Sequence, residues 1–342
     1  MQEPLDAHTL RERRDADRRG RARRRRTIVA VAMGIVLVAV LAVVLSSSGS
    51  GSSAGSHSRT TGKAGASTPA GAGGAGGTAG AGGTATRGHG GGSTGTRARA
   101  SGHPGDAAVP VLMYHVIASP PPGAPFPGVY VAPSEFTEQM HALASAGWHA
   151  VTLDQLAANW REGAPLGAGK PVVVSFDNGY HSQYSQALPV LRGLGWVGDE
   201  NIQLTGLPPS QGGLSESEVR ALVAAGWELD TQGLNHADLV TLGAAALREQ
   251  VQGTRETLRR RYHVPVNWFC YPSGHYDAAV IAAVRAAGYS GSTTVVPGWA
   301  HRDEDAYRMH RLRVLGGTSG PQLLGLIEDT RADPAAPASY SG

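Results

Sequence analysis

Residues 171–180 read PVVVSFDNGY. A proline and three valines run through Ser175 and Phe176 into Asp177, Asn178 and Gly179. A short β-branched run closed by glycine reads as a buried strand of a parallel sheet. A helix-like segment follows at 181–194. In α/β sheets and barrels, chemistry collects at the carboxyl ends of strands, so Asp177 is a carboxylate offered at the rim of a core. An aspartate in such a place also serves as an ordinary cap of the next helix. The rest of the chain decides between the two.

From 109 onward the same punctuation repeats. Strand-like runs fall at 109–115, 150–153, 201–204, 227–230, 268–271, 289–295 and 308–314. Between them lie helix-like segments at 133–147, 154–162 with Asp154 as cap, one starting at Ser215 with Val219, Leu222 and Val223 on its apolar face, 244–262, 277–287 and 321–329. Phe136, Met140 and Leu143 share one face of the first, with Pro133 in its first turn. Ser215 and Glu218 have the spacing of a capping box. Alternation over about 220 residues predicts an α/β fold with a parallel sheet closed or nearly closed into a barrel.

The first 108 residues are of another kind. Ten arginines and five acidic residues occupy 1–26, and 27–45 is nineteen residues without a charge. At about 1.5 Å per residue that run just spans a hydrocarbon core of roughly 30 Å. The competing reading, a cleaved secretory signal, has a shorter apolar region and needs a small-residue cleavage site that does not follow Leu45 at once. The Arg cluster keeps 1–26 in the cytoplasm and sends the remainder outside. Residues 46–108 are Gly, Ser, Ala and Thr with no apolar periodicity, a flexible tether with a reach of about 45 Å. Residues 331–342 read as a frayed tail. The expected organisation is thus a basic tail (1–26), a single-pass membrane helix (27–45), a disordered linker (46–108) and one folded domain (109–330).

Charge follows the same division. The whole chain is only +3, and both N-terminal segments are basic, so the folded part is net acidic. It has no footprint for nucleic acid. Cys270 is the only cysteine, which excludes an intrachain disulfide and a multi-thiolate zinc site.

Three expected strand ends carry polar residues of catalytic type: Asp177 with Asn178; Gln232 with His236; and the turn YPSGHYD at 271–277. Tyr114 and His115 form a fourth, weaker group. A lone His after a strand is usually a satisfied surface residue, and Pro272 to Gly274 alone is an ordinary turn. Repetition at successive strand ends raises the functional reading.

Taken in order, PVLMYH, VAPSEFTEQMHALASAGWHAVTLDQL, VVVSFDNGY, ALPVLRGLGW, GWELDTQGLNHADL, FCYPSGHYD and GYSGSTTVVPG resemble the landmarks of the polysaccharide deacetylase (NodB-homology, carbohydrate esterase 4) family over about 109–316. The resemblance implies a distorted (β/α) barrel that removes N-acetyl groups from polymeric amino sugars with a divalent metal such as zinc. It implies Asp177 as catalytic base, with Asn178, Gln232 and His236 at the three metal positions and His236 also in the catalytic set. Tyr271, Pro272, Gly274 and His115 fall at the groove. Arg311 or Arg313 matches a guanidinium near it. His115, His275, His301 and His310 are candidates for the general acid, and Trp299 and Tyr276 for stacking platforms.

Two of the three metal positions depart from the family pattern, Asn for Asp and Gln for His. Amide oxygens suit harder cations than zinc, and losing a carboxylate weakens the acidification of bound water. Three outcomes are expected. A rebuilt site uses Asp177 and His236 with His115 or His275 and hydrolyses the N-acetyl groups of cell-envelope polysaccharide weakly. A silent relative binds glycan in the old groove. Metal-free chemistry, the third, lacks an oxyanion stabiliser.

Overall fold

A computed structural model describes residues 100–205, 207, 212–331 and 335–341. The expected basic tail, membrane helix and most of the linker lie outside the described residues. Among those described, no helix is long and apolar enough to cross a membrane.

The strands are β1 (Val109–Tyr114), β2 (Trp148–Ala150), β3 (Lys170–Asn178), β4 (Asp199–Ile202), β5 (Glu228–Thr231), β6 (Trp268–Cys270), β7 (Gly291–Thr293), β8 (Trp299–Ala300) and β9 (Leu312–Arg313). The α-helices are α1 (Pro133–Ser145), α2 (Leu153–Glu162), α3 (Leu188–Gly193), α4 (Glu216–Ala224), α5 (Ala244–Arg248), α6 (Thr254–Tyr262), α7 (Ala278–Ala286) and α8 (Gly320–Asp329). The main sheet runs β7-β6-β5-β4-β3-β1-β8, with β2 added on β3 and β9 on β1. Every strand pair is parallel except β1 with β8. The ends of the sheet, β7 and β8, do not pair, so the architecture is a half-barrel, not a closed ring. A single bridge from Thr293 to Met309 ties the β7 edge to the chain entering β9.

The pleat of β3 divides the core. Val172, Val174 and Phe176 pack outward under the helices, with Tyr114, Phe136, Met140 and Leu143. Val173 points the other way and joins Val109, Val111, Trp268 and Met309 inside the curve. Ser175 and Asp177 continue that inner row toward the strand end, as period-2 alternation requires. Gly179, at φ 84°, turns the chain away; a Cβ there would sit 2.9 Å from Ile202 Cγ1.

Four details differ from expectation. Thr152, not Asp154, caps α2, its hydroxyl accepting from Gln155 N while Gln155 returns a bond to Thr152 N. The expected 244–262 helix is interrupted by a π-turn at Glu249–Gly253. Order begins before 109: Gly102 N and Gly105 N donate to Glu162 and Asn159 carbonyls, and Trp160 Nε1 donates to Ala107. Nor is the C-terminus wholly frayed, because Tyr340 exchanges two backbone bonds with Tyr276. Main-chain pairing of this kind leaves no side-chain pattern to read.

The amino ends of β4 and β5 bury acids. Asp199 Oδ2 accepts from Leu153 N and Glu228 Oε2 from Asp154 N, both at 2.9 Å, at the start of α2, where orphan N–H groups favour carboxylates. Asp230 Oδ1 accepts from Trp268 N at 2.8 Å. Burial raises all three, followed by repulsion from Glu228 for Asp199 and Asp230 and from Asp154 for Glu228, which is pushed up to about 7. Glu200 is fully buried with neither carboxyl oxygen partnered, and burial raises it as well.

Acids raised on folding bind more protons folded than unfolded above about pH 4, so their contribution to stability falls as pH rises toward their folded values. Asp230→Asn keeps the acceptor for Trp268 N and removes one charge. It is expected to raise the stability of the cooperative transition by roughly 1–3 kcal/mol at pH 8, with the gain vanishing near pH 4. Denaturant titrations at the two pH values measure this; an equal effect at both would refute the ionic origin.

Candidate active site

The carboxyl ends of β1, β3, β5 and β6 meet around a cavity of about 460 Å³. His115, Asp177, Asn178, Gln232, His236, Tyr271 and Gly274 all line it. Four distant segments that carried candidate residues therefore share one pocket. Pro272 is buried in the same turn but does not line the cavity. The rim is conformationally strained. Asn178, His236 and Ser273 have φ of 81°, 57° and 56°, and they are three of the five described non-glycine residues with positive φ. Such outliers gather where a site over-determines the backbone. In the 271–277 turn, Gly274 lies against Val295, 2.3 Å from where a Cβ would stand.

At the floor, Asp177 meets Arg311 in a two-pronged ion pair, Nη1 to Oδ1 at 2.8 Å and Nη2 to Oδ2 at 2.9 Å, with both side chains about 1% exposed. Asn201 Nδ2 donates a further bond to Oδ1 at 3.0 Å. Cys270 Sγ stands 3.5 Å from Oδ2 and 3.2 Å from Arg311 Nη2. The guanidinium is itself fixed by Thr294 O at 2.7 Å and Ser175 Oγ at 3.3 Å. Burial alone would push the Asp177 carboxyl up, but Arg311 outweighs it and holds it at about 2. The Cys270 thiol is pushed up to about 12 by burial.

Burial disfavours the charged form of both imidazoles at the pocket. Burial lowers His115 to about 4, although its Nε2 lies 3.9 Å from Asp177 Oδ2. Burial also lowers His236, against the pull of Asp177. Gln232 is nearly buried; its Nε2 faces Cys270 Sγ at 3.5 Å and its Oε1 has no partner.

These residues do not fit a zinc-type ion. The three metal positions offer one imidazole and two neutral amides, and the nearest carboxylate is already engaged at both oxygens by Arg311. Among the described residues, no group of three His, Cys, Asp or Glu side chains is arranged to hold a metal. Of the set expected for a rebuilt site, Asp177 is held by Arg311, His275 Nδ1 pairs with Asp238 at 3.1 Å, and His115 Nε2 stands 3.9 Å from Asp177 Oδ2.

Other candidates fall elsewhere. His301 and His310 line a separate cavity with Glu304, whose Oε2 accepts from His310 Nδ1 at 2.5 Å. Trp299 and Tyr276 are not platforms. Trp299 is 7% exposed with Nε1 donating to Ile327 O, and Tyr276 is fully buried with its hydroxyl donating to Pro337 O. The aromatic that stands free at the pocket is Phe126, 72% exposed. Its signal in the sequence is a lone aromatic within the proline-rich loop PPPGAPFPG. Asn201 and Gln203 were also missed, since a strand reading DENIQ gives no sign of which side chains face inward.

Comparison with known proteins agrees with this geometry. Residues 167–292 match the polysaccharide deacetylase family model. YxkH of Bacillus subtilis (strain 168), described as a polysaccharide deacetylase, is 26% identical over 226 residues, 66% of this chain and 78% of its own. The polysaccharide deacetylase BA0330 of Bacillus anthracis superposes with a TM-score of 0.58 at 27% identity, over 65% of this chain and 69% of its own. The Streptococcus pyogenes deacetylase PplD, solved with acetate, shares the fold with a TM-score of 0.60 at 22% identity, over 65% of this chain and 99% of its own. Enzymes of this family act on polysaccharide with a divalent metal. The half-barrel around Asp177 thus matches the polysaccharide deacetylase family model over 167–292 and is similar to that family's members in sequence and fold.

Proposed function

We propose that this domain binds N-acetylated amino-sugar polymer of the cell envelope in the Asp177 pocket and does not hydrolyse it by the family's metal route. The observation that carries this reading is the donor set: amides at Asn178 and Gln232, one imidazole at His236, and an Asp177 carboxylate fully engaged by Arg311. The amides keep the size and hydrogen-bonding capacity of a polar pocket while giving up the charge that holds and activates a metal-bound water. Gln232 Oε1 is buried in the pocket wall without a hydrogen-bond partner, an unsatisfied acceptor that a shift of the side chain would offer to a sugar hydroxyl or an acetamido N–H. A second cavity of about 350 Å³ shares Asn178 and Gln203 with the first and lengthens the groove for a polymer. The apolar run at 27–45 behind an Arg-rich tail supports a place at the outer face of the membrane.

Acetate release from N-acetylglucosamine oligomers, with zinc or cobalt added, tests the reading. The unaltered protein is expected to release none above background. Asn178→Asp with Gln232→His is expected to bind one zinc and to gain release at least about tenfold, the smallest effect typical of metal-site repair. Release by the unaltered protein at the rate of the double variant would overturn the proposal.

In this reading Asp177 and Arg311 act as a structural pair. Arg311→Met strands a buried carboxylate and is expected to cost about 3–5 kcal/mol at pH 7 by denaturant titration, with much of it recovered by adding Asp177→Asn. The depressed carboxyl contributes stability above about pH 4 that is lost as pH falls toward 2. The loss on acidification should therefore shrink in the double variant.

A further inference from the structure

The charges around the pocket do not cancel. Asp177 is matched by Arg311 in the two-pronged pair at its floor. His115 and His236 are partly buried imidazoles on the lining of the cavity, neither of them a permanent charge. Asn178, Gln203, Gln232 and Tyr180 carry no charge. What remains is Arg313, an exposed side chain on the lining of the same cavity. Its backbone is held in register beside Met113 by the β1–β9 pairing, so the cation is anchored at the strand ends. Among the described residues it forms no ion pair with a carboxylate. The cavity thus presents one uncompensated positive charge to whatever enters.

An apolar surface borders the same cavity. Phe126 and Leu315 are the two large hydrophobic side chains left exposed among the described residues, at 72% and 43%. They belong to adjoining segments. Phe126 precedes the 3-10 turn Pro127–Val129, and Gly316 N donates to Gly128 O at 3.0 Å. Phe126 lies between Pro125 and Pro127, whose rings restrict the backbone on either side of it. A ring held in water at a pocket edge gains from being covered, and the C–H face of a pyranose has the shape to cover it.

We propose that the pocket takes an acidic amino sugar, with Phe126 stacked on the apolar face of a pyranose and Arg313 paired with a carboxylate carried by the ring or its substituent. Carboxylate-bearing N-acetylhexosamine polymers then bind in preference to neutral ones. This rests on the glycan-binding reading and adds the charge of the ligand. Arg313 recognises the carboxylate by paired N–H donors, and Phe126 recognises the sugar whatever its charge.

The test titrates the full-length chain calorimetrically with N-acetylglucosamine tetramer and with the same tetramer oxidised to carboxylates at C6. The oxidised tetramer is expected to bind about tenfold more tightly at low salt, as for a charge-assisted bond. The preference should narrow at 0.5 M salt, where screening acts over a few ångströms. Arg313→Ala should remove the preference and leave the neutral tetramer within twofold, while Arg313→Lys keeps part of it. Phe126→Ala, an exposed position whose thermal transition should not move, should weaken both tetramers about tenfold. Equal binding of the two tetramers, or a preference that survives Arg313→Ala, overturns this inference and leaves glycan binding standing. Binding of neither overturns both. Polyglutamate competing as well as the oxidised tetramer would overturn the role given to the sugar ring.

Discussion

The contact between Arg311 and Asp177 links parts of the sheet that the strand ladder leaves apart. Asp177 ends β3 near the middle of the sheet. Arg311 precedes β9 on a segment that crosses the open side of the half-barrel, and it also reaches Thr294 beyond β7, Ser175 in β3 and Cys270 in β6. One guanidinium therefore spans the gap where a full barrel would have another strand pair. Taking both ions out of water is costly, and bidentate geometry with the extra bonds from Asn201 and to Thr294 offsets that cost. Removing either partner leaves the other stranded, which makes the pair a constraint on the fold as well as a feature of the pocket.

The acids at the amino ends of β4 and β5 meet the same difficulty by another route. Among the described residues Asp199 and Glu228 pair with no cation; they accept backbone N–H groups at the start of α2, and Asp230 accepts one from Trp268. A carboxyl in that position can stay buried by holding its proton, which the raised values of all three allow. The two ends of the half-barrel thus respond to pH in opposite senses. The pocket end is secured by an ionised acid and weakens toward acid conditions, and the far end is secured by protonated acids and weakens toward alkaline ones.

Much of this was readable in advance because strand periodicity and glycine placement are local signals. PVVVSFDNG announces a buried strand with its acid at the rim, and Ser215 with Glu218 announces a helix start; the structure has both. The signals fail where pairing is short or main-chain only. β8 is two residues long and antiparallel, so neither its length nor its direction shows in WAH. Burial of an amphipathic aromatic is also ambiguous, because Tyr276 and Trp299 can hide a ring while their polar atoms reach a carbonyl, and both do. Arg311 and Arg313 are indistinguishable by spacing. Only the fold separates the one sealed against Asp177 from the one left facing solvent.

On the glycan-binding reading proposed above, the two amides are substitutes that the pocket accommodates. A cluster of acid and imidazole ligands is held together in part by the ion it binds, and without that ion its charges and lone pairs repel. Here Asn178 occupies a left-handed backbone position that asparagine tolerates better than most side chains, and it adds no charge there. Gln232 donates toward Cys270, and its oxygen is buried without a partner. Asp177 is neutralised from behind by Arg311, so nothing in the pocket calls for a cation to balance it. A dication placed among these groups would face Arg311 and Arg313 at short range, with one imidazole and neutral amides to hold it. A sugar asks for hydrogen bonds, an apolar face and, where it is acidic, one positive charge, and those are the interactions these residues still offer.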